Sequence, residues 1–453
     1  MTSTSLHGLR EVRVAGDRHP APFLRATLPG GLTLIVKPIR ALPIVAVDAW
    51  VGVGAAHEPP GVEGIAHFLE HMFFKGTPAH PLGEMDGMVK NMGGYNNAAT
   101  SLENTHYFIV APSPHWETAL ALLADGLQNL ALPGEELARE REVVKEEINR
   151  KEDSPAGRLY TVLSETALAG TPYGHSVLGT RESLDRIGRD EMGAYWRRHY
   201  NTANTVVAVV GDVDPDAALR AVQSAFDYYR RGSPSAIAAF TAPRPRPAVL
   251  RESKDVGQTY LALAATTPGR EHPSYHALEL ASLVVGEGPT SLLSRRLERE
   301  LNLVTGISAW SYDLRGTGLL GVDAVCDPDQ TERVVEEIGV VLSEAVRGAI
   351  TPAAVERAKR ILRADFDFDN ETASSISGTL AEFELLFGGA ERFADYLSGI
   401  EAVRPEECVR VLEEFFAPAS RLTVIVEPDA EGHGSSGRDE ARPAIAAAGP
   451  DPA

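Results

Sequence analysis

The pattern H-x-x-E-H at residues 67–71 is the feature that most restricts what this chain can fold into. Residues four apart lie on one face of a helix, so the pattern predicts a helix that directs His67 and His71 to the same side, with Glu70 beside them. Two neutral imidazoles at this spacing suit a zinc ion, and a nearby carboxylate can accept a proton from water. The pattern therefore indicates a zinc hydrolase; the alternative is a pair of histidines packed in a core.

The flanking residues support the helix. Apolar side chains recur at helical spacing from Ile65 to Phe73, and Gly76 is predicted as the C-cap. A catalytic zinc site needs three protein ligands and one open position, so the two histidines leave one ligand to be found.

A second, charged helix is predicted from Pro133 to about Arg150. Its glutamates include Glu140 and Glu147, which are seven residues apart and therefore lie on one face. Any of its acids could equally be a solvated surface residue. The residues by themselves therefore do not select the third ligand.

These motifs carry a family resemblance. The H-x-x-E-H pattern with a glutamate at position 147 resembles the inverzincins of the pitrilysin/insulysin metallopeptidase family. The segments G-G-Y-N-N-A-A-T (93–100), P-Y-G-H (172–175) and Y-N-T-A-N (200–204) are also similar to family segments, and the resemblance covers most of residues 30 to 430. Among its members, the chain looks like the short-chain branch that includes beta subunits of mitochondrial processing peptidase.

The resemblance implies a zinc-dependent endopeptidase that acts on extended or unfolded peptides. It implies that Zn²⁺ is bound by His67, His71 and Glu147, that Glu70 is the general base, and that Glu140 supports a ligand from behind. It also implies an edge strand to which substrate adds as a further β-strand. The predicted substrate-binding residues of that strand are Asn97, Ala98, Ala99 and Thr100.

The chain also shows an internal duplication, which predicts an α+β fold. We expect two homologous halves, each a mostly antiparallel sheet packed with helices, together forming a half-bowl. The predicted boundaries are an N-terminal segment 1–21, a metal-binding peptidase half 22–235, an inactive substrate-enclosing half 246–428 and a disordered tail 429–453. Predicted strands lie at 32–36, 44–47, 106–110, 205–210, 248–250, 260–264, 321–325 and 422–426, and second-half helices at 274–285, 351–366 and 405–416.

The second half departs from the metal pattern and from the family. Its corresponding helix has His276 and Glu279 but no second histidine, so we expect it to bind no metal. Many family members have an Arg and a Tyr in this half that help to hold substrate; Leu292 and Thr305 occupy those positions here. Either a homologous metal-free subunit completes the site in a heterodimer, or the chain acts as a homodimer without this pair. Arg295, Arg296 or Tyr312 could substitute if the alignment is shifted.

Charge and hydropathy limit the remaining function classes. With 43 Lys and Arg against 63 Asp and Glu, the net charge of −20 argues against nucleic-acid binding as a main role. No stretch reaches the ~18 apolar residues of a membrane span, and no signal peptide is visible, so we expect a cytoplasmic protein. The alternative function is a non-proteolytic scaffold or assembly subunit of the same fold, because fold does not fix function.

Overall fold

Two β-sheets with helices packed on them make up the computed structural model, which describes residues 9–14, 19–242 and 247–429. The first sheet has seven strands and the second has five. The strands of the first sheet are β1 (Arg10–Val12), β2 (Phe23–Thr27), β3 (Thr33–Pro38), β4 (Ile44–Val51), β5 (Tyr95–Thr100), β6 (Thr105–Pro112) and β7 (Thr205–Gly211). Those of the second are β8 (Ala248–Lys254), β9 (Thr259–Thr267), β10 (Val304–Asp313), β11 (Gly318–Cys326) and β12 (Leu422–Pro428).

The helices occupy the connections between these strands. Those before residue 243 are α1 (Ile65–Phe73), α2 (Glu84–Asn91), α3 (Trp116–Gln128), α4 (Gly134–Asp153), α5 (Pro155–Ala167), α6 (Arg181–Arg186), α7 (Arg189–His199) and α8 (Pro215–Ala225). Those after residue 246 are α9 (Tyr275–Gly286), α10 (Thr331–Glu344), α11 (Pro352–Phe368), α12 (Ala373–Leu386), α13 (Phe393–Ala402) and α14 (Pro405–Phe415), with a π-helical turn at Ser294–Glu300.

The strand order reveals the duplication directly. The first sheet has the order β1-β2-β3-β7-β4-β6-β5, and the second has β10-β11-β9-β12-β8. Reading the second sheet from β8 gives the order β8-β12-β9-β11-β10, which repeats β3-β7-β4-β6-β5. The pairing also repeats, since β3 and β8 are parallel to β7 and β12 while the other shared pairs are antiparallel. The predicted α+β fold with two homologous halves is confirmed.

The predicted strands form. Strands β3 and β4 follow each other in the sequence but are not neighbours in the sheet, because β7 lies between them. The short strand β1 pairs with β2, so part of the predicted N-terminal segment 1–21 belongs to the first sheet. The predicted tail 429–453 lies outside the described residues except for its first position.

The helices cross between the halves. On one face of the first sheet, Trp50 and Val206 pack against Ile376 and Leu380 of α12, which comes from the second half of the sequence. Conversely, Leu159 and other residues of α5 pack on the second sheet. Each sheet is therefore covered partly by a helix from the other half, because a sheet with two apolar faces must bury both. The boundaries 22–235 and 246–428 stay a prediction for the independent folding units.

No single helix in the described part of the chain is long and apolar enough to cross a membrane. The helical segments 328–349 and 352–368 meet the length and composition criteria only when taken together, and they bend by 110° at their junction.

Candidate metal centre and active site

The helix that carries the H-x-x-E-H pattern, α1, has no side chain at its N-cap position that could accept hydrogen bonds from its first N–H groups. Gly64 occupies the N-cap position in the left-handed region, with φ of 90°. The fully buried carboxylate of Glu58 replaces the missing cap by accepting hydrogen bonds from the N–H groups of Gly64 and Ala66, both at 2.8 Å. These are among the N–H groups that lack partners at a helix start. Glu58 therefore holds the first turn of α1, immediately before His67.

The end of α1 also differs from the prediction. The helix ends at Phe73 with Phe74 as its C-cap, so Gly76 lies two residues beyond the cap. Gly76 has φ of 102°, and its carbonyl accepts a hydrogen bond from the Ala131 N–H, which fixes the chain in a turn rather than in a helical cap.

The two histidines meet Glu147 across the contact between α1 and α4. The Nε2 atoms of His67 and His71 each lie 3.6 Å from the Glu147 Oε2 atom. One potential ligand atom from each residue lies within 4.8 Å of the others, and this is the group of metal-binding character found among the described residues. Two imidazole nitrogens and one carboxylate oxygen form the donor set of catalytic zinc sites, which keep a fourth position open. The residues present therefore fit a zinc ion.

The protonation states of the three groups suit a cation. Burial lowers the pKa of His67 to about 4, so its imidazole is neutral at pH 7 and can act as a ligand. Burial also lowers the pKa of His71, but the neighbouring carboxylates of Glu147 and Glu140 outweigh it and raise the pKa above its ordinary value. The proximity of His71 in turn lowers the pKa of Glu147. The two carboxylates thus stabilise positive charge at this site.

Glu140 orients one of these histidines. Its Oε2 atom lies 3.1 Å from His71 Nδ1, while its Oε1 atom lies 2.7 Å from the Lys75 ammonium nitrogen. A carboxylate bonded to Nδ1 fixes the tautomer and leaves Nε2 free for a metal. His67 differs, because its Nδ1 atom is buried with no hydrogen-bond partner among the described residues.

Glu70 faces the end of strand β5. The Thr100 hydroxyl donates a 2.6 Å hydrogen bond to Glu70 Oε2, and burial raises the pKa of Glu70. A carboxylate with a raised pKa is a better proton acceptor at neutral pH than an exposed one. The structure therefore brings Glu70 next to the metal-binding group and holds it from one side.

Strand β5, which contains the predicted substrate-binding residues 97–100, lies at the edge of the first sheet as expected. Among the described strands it pairs only with β6, so its other edge is open. Within the strand, the Asn97 Oδ1 atom accepts a 2.9 Å hydrogen bond from the N–H of Ala98. Ala99 is half-buried and Thr100 is buried, so the strand becomes progressively less accessible toward Glu70.

The second-half residues at the family's Arg and Tyr positions have other surroundings. Leu292 is 8% exposed and belongs to the second hydrophobic core. Thr305 lies exposed on β10, with its hydroxyl 3.4 Å from the Val325 carbonyl. Arg296 is paired with Glu337 at 3.1 Å.

Of the other two candidates, Arg295 is mainly exposed and lies 3.9 Å from Glu300. Tyr312 lines a cavity of about 550 Å³ between the halves, together with Thr100.

Comparisons with known proteins agree with this arrangement. The profile of the family described as insulinase (peptidase family M16) matches residues 40–181, and that of the peptidase M16 inactive domain matches residues 186–362. An uncharacterized zinc protease of Mycobacterium leprae is 32% identical over 394 residues, which cover 85% of this chain and 88% of the relative. The zinc protease PqqE of Helicobacter pylori is 29% identical over 428 residues, covering 92% of this chain and 96% of PqqE.

Solved structures share the fold. The crystal structure of a protease from Helicobacter pylori superposes with a TM-score of 0.83 at 29% identity and covers 89% of this chain and 99% of that one. A peptidase M16 inactive domain from Pseudomonas fluorescens has the same TM-score at 17% identity, covering 90% of this chain and 98% of that one, and at this identity it supports the fold alone.

Proposed function

This chain belongs to the insulinase family of peptidases, family M16, and from that premise we propose that it is a zinc-dependent endopeptidase of extended or unfolded peptides. The observation that carries the proposal is the convergence of His67, His71 and Glu147, with Glu70 beside them. A scaffold protein has no need for three converging ligands and a held carboxylate in one place.

In this proposal the three converging residues hold the metal, and Glu140 keeps His71 in the ligating orientation. Zinc bound there would polarise the scissile carbonyl and lower the pKa of a water molecule. The burial of His67 keeps its imidazole neutral, so no proton has to leave it before it can ligate.

Glu70 acts as the general base. Its carboxylate accepts the proton of the attacking water and then returns it to the leaving amine, so it serves as base and then as acid in one turnover. The Thr100 hydroxyl fixes Oε2 of Glu70, which leaves Oε1 for this proton transfer. The chemistry needs no covalent intermediate.

The open edge of β5 supplies the substrate site. An extended peptide adds to such an edge through main-chain hydrogen bonds, which folded proteins cannot offer in their interior strands. Asn97, Ala98, Ala99 and Thr100 form this edge, which leads directly to Glu70. We therefore expect cleavage of unstructured peptides and resistance of compact domains.

A second subunit completes the substrate chamber in this proposal. Leu292 lies in a hydrophobic core and Thr305 is a short hydroxyl side chain, so neither offers the cationic or phenolic group found at these positions in many relatives. A homologous metal-free subunit in a heterodimer would supply these groups. A homodimer without them is the other arrangement, and it predicts weaker cleavage.

The test is to measure metal content by plasma mass spectrometry and cleavage of an unstructured, internally quenched fluorescent peptide. Wild type is expected to contain stoichiometric zinc and to cleave, either alone or with the homologous subunit. Glu70→Gln is expected to keep the zinc and lose about 10²- to 10⁴-fold in rate, the usual contribution of a general base. Glu142→Gln, an exposed acid on α4, serves as the control.

The same measurement separates the alternatives. Zinc binding with cleavage only after addition of the second subunit indicates the heterodimer. Absence of both zinc and cleavage, with or without that subunit, would contradict the peptidase and support the scaffold.

A further inference from the structure

Glu103 lies in the turn that joins β5 to β6, directly after the strand that ends at Thr100. It is only 5% exposed, although it carries a carboxylate. Its Oε1 atom accepts hydrogen bonds from the Tyr173 hydroxyl at 2.6 Å and from the Arg315 N–H at 2.8 Å. Its Oε2 atom lies 2.6 Å from the Arg270 guanidinium. A buried carboxylate with partners on both oxygens is held in one place, because any movement would leave charge unpaired in a low-dielectric site.

Two of these three partners belong to the second half of the chain. Arg270 follows β9 and is itself fixed by Asp313 at the end of β10, with Nε 2.8 Å from the Asp313 carboxylate. Arg315 lies in the turn after β10. The third partner, Tyr173, belongs to the P-Y-G-H segment of the first half. The Glu103 side chain thus ties the turn after β5 to the sheet of the metal-free half.

The turn contacts the second half through both polar and apolar groups. A cavity of about 550 Å³ lies between the halves at this point and is lined by Thr100, Glu103, Arg270 and Asp313. On the other side of the turn, Leu102 packs against a hydrophobic cluster that includes Leu314, so the Glu103 contacts form the polar part of the connection.

The turn itself leads back to the general base. The Ser101 N–H donates a 2.8 Å hydrogen bond to the Asn104 carbonyl, so the four-residue turn moves as one unit. Thr100, the residue before it, donates to Glu70. A displacement of Glu103 would therefore shift Thr100, and with it both the end of the substrate strand and the carboxylate of Glu70.

We propose that Glu103 is a positioning residue. Through its contacts with Arg270 and the Arg315 N–H, the metal-free half fixes the position of β5 and, through Thr100, that of the Glu70 carboxylate. This inference rests on the proposed function, because the position of Thr100 matters to turnover only if Glu70 is the base. It assigns the second half a direct role in catalysis besides enclosing the substrate.

The chain offers a matched control. Arg158 of α5 and Glu252 of β8 form a bidentate ion pair between the halves, with both hydrogen bonds at 2.6 Å. Its contacts lie on α5 and β8, whereas those of Glu103 lie beside Thr100. Glu252→Gln therefore weakens the connection between the halves without acting on the turn after β5.

The experiment compares Glu103→Gln, Tyr173→Phe and Glu252→Gln by peptide kinetics and by hydrogen exchange of residues 95–105. We expect Glu103→Gln to lower kcat about 10- to 100-fold with unchanged zinc content, the scale of a small misplacement of a catalytic group. Hydrogen exchange of residues 95–105 should rise with or without metal, because the turn has lost its ion pair with Arg270. Tyr173→Phe keeps the Glu103–Arg270 ion pair and should show the same changes to a smaller degree; circular dichroism checks that it folds.

Glu252→Gln should leave both kcat and the exchange of residues 95–105 at wild-type values. Equal changes in Glu252→Gln and Glu103→Gln would overturn the proposal, since a general loosening of the halves would then explain both. Wild-type exchange and kcat in Glu103→Gln would overturn it as well. Failure of the peptidase assignment looks different, because wild type then has no cleavage while the exchange difference between the variants persists.

Discussion

The helices α1 and α9 occupy equivalent places in the two halves, because they follow the equivalent strands β4 and β9, yet they have different surroundings. In α1 the histidines face α4, which provides Glu147 and Glu140. In α9 the fully buried Leu280 stands where α1 has its second histidine. Two polar side chains of α9, His276 and Glu279, contact Tyr396 of α13.

Helix α13 packs directly on these two side chains of α9. The Tyr396 hydroxyl donates a 2.5 Å hydrogen bond to Glu279. Gly399 lies against the His276 ring so closely that a Cβ atom there would be 2.1 Å from Nε2. Two differences therefore separate the halves. Helix α9 has Leu280 in place of the second histidine, and α13 packs closely against its remaining histidine, His276.

The largest expected effect comes from removing the carboxylate that α4 contributes. Glu147→Gln should lower zinc affinity more than about 100-fold, because loss of a mere supporting partner already costs about 10- to 100-fold. Competition with a chromophoric chelator measures the affinity. Glu146→Gln, an exposed neighbour on the same helix, should bind zinc like wild type. Equal zinc affinity of Glu147→Gln and Glu146→Gln would contradict the difference drawn between the halves, because the Glu147 carboxylate of α4 would then not be needed for metal binding.

The next effect concerns the residue behind His71. Glu140→Gln should reduce zinc affinity or cleavage about 10- to 100-fold, because the bond that fixes the His71 tautomer loses its charge. Isothermal titration of the metal-free protein with zinc measures it, with Glu142→Gln as the control. Unchanged zinc binding in Glu140→Gln would show that His71 needs no orienting partner.

A pair of hydroxyl deletions compares the two glutamates directly. Thr100→Val removes the hydrogen bond to Glu70 and should lower kcat about tenfold, in line with the worth of a hydrogen bond to a charged group. Tyr396→Phe removes the corresponding bond to Glu279 and should leave steady-state kinetics unchanged. A loss of cleavage in Tyr396→Phe would mean that the second-half glutamate takes part in catalysis after all.

The smallest effect is on stability and depends on pH. Burial raises the pKa of Glu279 to about 8 in the folded protein, well above the usual value of 4.5. The folded state then keeps a proton that the unfolded state releases, so this group's contribution to stability is complete below pH 4.5 and is lost as the pH rises to about 8. Glu279→Gln has no such loss, so relative to wild type it should gain up to about 3–4 kcal/mol between pH 5 and pH 8, at about 1.4 kcal/mol per pH unit.

Urea denaturation of the two proteins at both pH values measures this difference. Other titrating groups, such as Glu58, contribute equally to both proteins and cancel. A difference in unfolding free energy that is independent of pH would contradict the raised pKa of Glu279.

The sequence predicts the elements well because their signals are local. The H-x-x-E-H helix and the long charged helix each follow from spacing within one segment, and both form near the predicted bounds. The edge strand, which the family resemblance implied, forms at Tyr95–Thr100. The third ligand was different, because several glutamates of α4 satisfy the same local pattern. Only the family resemblance singled out Glu147, and the geometry then placed it beside both histidines.

Long-range contacts are the part that the sequence did not predict. The insertion of β7 between β3 and β4 and the exchange of α5 and α12 join segments far apart in the chain, and no periodicity records such pairings. Glu58 and Glu103 were missed for the same reason. Each is a single acid in a loop, and only the fold shows that one caps α1 and the other reaches Arg270.

The most direct test of the asymmetry between the halves is a zinc-edge anomalous diffraction map of crystals of the zinc-loaded protein. The account predicts one strong peak per chain, bonded to His67, His71 and Glu147, and no peak beside His276 and Glu279. A peak at the second pair, or zinc bound stoichiometrically in solution with no peak between α1 and α4, would contradict it.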